Sequence, residues 1–144
     1  MSIKLAQRFV QNFMDSQDYK KHTEDKALLL NGISYRLRPD DSYFFADKLV
    51  LIEYENNLRP VESISKFYWL FERTNWLKSE MPLHLLFIIT NEKVETKYNI
   101  RTESVKILGS RLMQLEPKYF KFSFINNSEI SQTKIESELK QLLE

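Results

Sequence analysis

Two carboxylates one residue apart close an apolar run in the stretch Leu49 to Glu55, LVLIEYE. Side chains along a strand alternate faces, so Leu49, Leu51, Glu53 and Glu55 share one side and Val50, Ile52 and Tyr54 the other. Glu53 and Glu55 then project together, about 6–7 Å apart along the strand. The face bearing them turns from apolar to acidic midway, which a half-buried strand normally does only where a pocket opens. Paired carboxylates there repel unless a cation or a base neutralises them. Upstream, Pro39-Asp40-Asp41 offers further carboxylate oxygens from the neighbouring strand or turn. Acidic oxygens converging from two adjacent strands suit a hard divalent cation.

The elements that must position these groups follow from periodicity. Ile3 to about Tyr19 reads as an amphipathic helix, with Ile3, Leu5, Ala6, Phe9, Val10, Phe13 and Met14 at helical spacing and Ser2 as its cap. Asn31-Gly32 between two β-type runs predicts a hairpin, because both turn positions accept positive φ. Ile33, Tyr35 and Leu37 alternate with Ser34, Arg36 and Arg38, and Pro39 ends that strand or marks an edge. Ser42 to Phe45 and then LVLIEYE extend the pattern into a meander of three or four antiparallel strands. This sets Asp40 or Asp41 beside the strand of Glu53 and Glu55. Pro60 opens a helix to about Trp76. LHLLFIIT reads as a central strand covered on both faces, with His84 a satisfied core or sheet-face residue. A helix from about Arg101 to Leu115, a strand over Tyr119 to Ile125 and a closing helix between Ser128 and Glu144 complete one α/β domain over residues 1–144. Its mixed central sheet is flanked by helices.

Composition narrows the chemistry. Of 144 residues, 42% are hydrophobic, enough for a real core. The net charge of +1 lacks the global basic signature of an indiscriminate polyanion binder. Without cysteine there are no disulfides, thiolate metal sites or Cys nucleophiles. Two glycines do not build a phosphate loop, and His22 and His84 are too far apart in character for a zinc site. No nucleophile elbow is visible. Neither a signal core nor a membrane-length apolar run occurs, which predicts a cytoplasmic protein without a membrane partner.

Pro39-Asp40, a twelve-residue gap, and Glu53-Tyr54-Glu55 at the end of an apolar strand resemble the PD-(D/E)xK nuclease superfamily. The predicted element order resembles its restriction-endonuclease-like αβββαβ core. The resemblance implies a Mg²⁺-dependent (or Mn²⁺-dependent) hydrolase of phosphodiester bonds in DNA. It implies Asp40 and Glu53 as metal ligands, Asp41 being the alternative to Asp40. Glu55 stands at the family's lysine position, as a further ligand or as acceptor of the water's proton. In some branches the lysine comes from the following helix, a part open to Lys66 and more weakly to Arg59. Arg36, Arg38, Arg59 and Arg73, with Lys66, are the candidates for phosphate contact. Tyr68, Trp69 and Trp76 read first as core. Cutting both strands implies a homodimer, a larger assembly or sequential action. A non-catalytic nucleic-acid- or protein-binding module on the same fold, as a subunit of a restriction, repair or mobile-element assembly, is the rival reading.

Overall fold

The computed structural model describes residues 1–19, 28–30, 33–37, 40–45, 47–55, 60–73, 82–90 and 100–144. In chain order the elements are α1 (Ile3–Ser16), β1 (Leu28–Leu30), β2 (Ile33–Leu37), β3 (Asp41–Phe44), β4 (Leu49–Glu55), α2 (Pro60–Arg73), β5 (Leu83–Ile89), α3 (Ile100–Leu115), β6 (Phe120–Ile125) and α4 (Gln132–Leu143). This is an α/β fold around a four-stranded mixed sheet, ordered β3-β4-β5-β6. β3 runs antiparallel to β4, whereas β4, β5 and β6 run parallel, as two helical crossovers require.

The apolar runs of β4 and β5 have a simple cause: both strands are interior and both of their faces are covered. One face carries Leu49, Leu51, Leu85, Phe87 and Phe120, packed under Ile64 and Phe67 of α2 and Val105 and Leu112 of α3. The other carries Val50, Ile52, Tyr54, Leu86 and Ile88, packed under Val10 and Met14 of α1 and Ile135 and Leu139 of α4. Serines cap two of the helices, Ser2 as the sequence predicts and Ser131 where the closing helix starts later than Ser128. Ser2 Oγ accepts from the Leu5 N–H at 3.1 Å and Ser131 Oγ from the Lys134 N–H at 3.0 Å.

The hairpin is present, with Leu30 pairing Ile33 across Asn31-Gly32, but the expected continuous meander is not. β1 and β2 form a two-stranded sheet of their own, and β3 opens the main sheet. Pro39, standing in the sequence between β2 and β3, has no N–H to give to a ladder. The predicted end of α2 near Trp76, and His22, fall outside the described residues. Among the described residues, no helix is long and apolar enough to cross a membrane.

Candidate active site

The carboxylates gather where β3 stops and β4 continues. The ladder pairs Asp41 with Ile52, so β4 runs on through Glu53, Tyr54 and Glu55 without a β3 partner. An unpaired strand N–H needs another acceptor. Asp40 supplies it, with its Oδ2 accepting from the Tyr54 N–H at 2.8 Å. Asp41, one residue on, serves the opposite face, where its Oδ2 accepts from the Tyr54 hydroxyl at 2.7 Å. The two aspartates thus divide between the two sides of β3, and Asp40 is the one level with Glu53.

Glu53 is buried, with 3% of its surface exposed, at the end of the face covered by α2. Helix α2 returns antiparallel to β4, and Lys66 reaches back so that its ammonium donates to Glu53 Oε1. Its stem lies near Phe67, with Nζ 5.5 Å from that ring. Burial, opposed by Lys66 and assisted by neighbouring Asp40, raises the Glu53 carboxyl to about 8. Ser63, one turn before Lys66, donates through its hydroxyl to Glu55 Oε1. Glu55 is half-buried, and burial holds its carboxyl above the ordinary range while the Ser63 hydrogen bond opposes that.

The structure therefore brings Asp40, Glu53, Glu55 and Lys66 to one end of the sheet. The arginines are placed differently. Arg36 lies in β2, opposite Leu29 in the separate two-stranded sheet. Arg73 ends α2, about 10 Å along the helix axis from Lys66 by helical rise. Arg38 and Arg59 lie outside the described residues. Trp69, read as core, is instead exposed on α2, Tyr68 is half-buried, and Trp76 is outside the described residues. Ser63 escaped the sequence reading, although Ser63-x-x-Lys66 is the spacing that puts two side chains on one helical face.

Among the described residues no group of three or more acidic, histidine or cysteine side chains is arranged to hold a metal ion. Asp40 and Glu53 remain a two-carboxylate donor set, which suits Mg²⁺, an ion that typically uses one or two carboxylates and completes its shell with water and phosphate oxygens. Compared with protein-family models, curated proteins and solved structures, the chain matches none.

Proposed function

We propose that the chain is a Mg²⁺-dependent (or Mn²⁺-dependent) nuclease that hydrolyses phosphodiester bonds in DNA, on a restriction-endonuclease-like αβββαβ core. The observation that carries this reading is the placement of Lys66, thirteen residues after Glu53, on the Glu53 carboxylate beside Asp40. A lysine from the following helix thereby takes the place that Glu55 leaves vacant in the motif.

In this reading Asp40 and Glu53 would hold the ion, which when bound would supply charge neutralisation at the phosphate and acidify water. Lys66 places a positive charge where the non-bridging phosphate oxygens gain negative charge in the transition state. Glu55, raised above the ordinary carboxylate range, accepts the proton of the attacking water. The water oxygen bonds to phosphorus, its proton passes to Glu55, and the bond to the leaving oxygen breaks. Ser63 fixes the Glu55 carboxylate for that transfer.

Cleavage of plasmid and short duplex DNA with Mg²⁺ or Mn²⁺, abolished by EDTA and by Glu53→Ala, is the expected result. Cleavage persisting in Glu53→Ala would sink the site assignment, and turnover unchanged in Lys66→Ala would remove the lysine from it. Thermal stabilisation by Mn²⁺, lost when Asp40 and Glu53 are both replaced, tests the cation site without turnover. The absence of a three-ligand cluster among the described residues favours a second reading, a non-catalytic binding module on this fold. DNA retention in a gel shift, with no cleavage under any metal, would select it.

A further inference from the structure

Between Glu53 and Glu55 stands a residue with no part in the proposed proton transfer. Tyr54 turns its ring away from the carboxylates into the core under α1, with Val10 and Met14. It nonetheless grips both aspartates at the end of β3. On the carboxylate side its backbone N–H donates to Asp40 Oδ2 at 2.8 Å, and on the other side its hydroxyl donates to Asp41 Oδ2 at 2.7 Å. Register explains the reach. Asp41 stands opposite Ile52, so Tyr54 is its diagonal neighbour on the same face, a separation that an aromatic side chain spans.

The two aspartates are held unequally. Tyr54 and Asp41 are 4% and 5% exposed, so their hydrogen bond is shielded from competing water. A bond from a phenol to a buried carboxylate is charge-assisted and strong in such surroundings. Asp40 is only half-buried and lies beyond the last rung of the β3–β4 ladder, which ends at Asp41. It also meets Glu53, since a side-chain hydrogen bond joins the two carboxyl groups. Asp40 and Asp41 share a peptide unit. Whatever fixes the Asp41 side chain therefore fixes the backbone from which Asp40 reaches Glu53.

We infer that Tyr54 is a positioning residue: its hydroxyl, acting through Asp41 from the far face of the sheet, holds Asp40 against Glu53. The consequence for binding rests on the reading of Asp40 and Glu53 as ligands of a divalent cation. Without the hydroxyl, the Asp41 carboxylate turns toward another donor, and the shared backbone carries Asp40 out of line with Glu53 and with the Tyr54 N–H. Groups that hydrogen-bond a metal ligand typically change the affinity about 10–100-fold; the Tyr54 hydroxyl acts one step further back, so about tenfold is expected.

The test compares Tyr54→Phe, which removes only the hydroxyl, with Ile135→Val, which loosens the same core from α4. In EDTA, amide hydrogen exchange at residue 54, followed by NMR, is expected to be about tenfold faster in Tyr54→Phe than in Ile135→Val. Equal exchange in the two variants would overturn the proposal. Calorimetric titration with Mn²⁺ then reads the site. Tyr54→Phe is expected to bind about tenfold more weakly than wild type, and Ile135→Val to stay within about twofold of it. Equal weakening in both variants, or wild-type affinity in Tyr54→Phe, would likewise overturn the proposal. A wild type that binds no Mn²⁺ would remove the cation reading, while the exchange measured in EDTA would still decide whether the hydroxyl holds Asp40. If Tyr54→Phe does not fold, Asp41→Ala breaks the same hydrogen bond from its other end and takes its place, with the same outcomes expected.

Discussion

Replacing Glu53 by Gln should remove a large part of the pH dependence of this protein's stability between about pH 4.5 and 8. The buried carboxyl is raised from 4.5 to about 8 in the folded chain, whereas the unfolded chain returns it to water. Between those values the folded state holds a proton that the unfolded state has released. Stability therefore falls as pH rises across that window, and it is fully present only below the unfolded value. At about 1.4 kcal/mol per unit of pH, the loss is roughly 5 kcal/mol. Such a loss is a third or more of the stability of a typical domain.

Urea unfolding of wild type and Glu53→Gln at pH 5, 6, 7 and 8.5 measures it. With an m-value of about 2 kcal/mol/M, the wild-type midpoint should drop by about 2–3 M relative to the variant. The comparison is needed because His84, whose pKa is lowered chiefly by burial, contributes with the opposite sign at lower pH. Glutamine cannot ionise, so the difference between the two curves isolates Glu53. Parallel curves would refute the buried-acid reasoning.

Three further perturbations follow from named contacts. Lys66→Met removes the group that pulls Glu53 down, so the Glu53 carboxyl should titrate above about 8, and carboxyl NMR showing a lower value would contradict the pairing. Tyr54→Phe deletes the donor to buried Asp41 and should cost about 1–3 kcal/mol in urea unfolding; a neutral result would mean Asp41 does not depend on that hydroxyl. Gly109→Ala drives a methyl group into the Phe122 ring, which is stacked in line with Phe120 and next to Phe124. It should destabilise by about 1 kcal/mol or more. In a Phe122→Leu background the clash goes and up to about 1 kcal/mol of helix propensity reappears, so the effect should reverse sign; the same sign in both backgrounds would refute the packing argument.

The sequence made β4 and β5 legible because interior strands covered on both faces leave unbroken apolar runs, and the starts of α1 and α2 because Ser2 and Pro60 stand there. Register was not legible. Asp40 and Asp41 are equivalent by spacing, and only the pairing of Asp41 with Ile52 separates the one that faces Glu53 from the one that faces the Tyr54 hydroxyl. Nor does any local pattern say how far Lys66 lies from Glu53, since that depends on the angle at which α2 returns over the sheet. The split of β1 and β2 from the main sheet is likewise a matter of long-range pairing, which alternation within a strand does not encode.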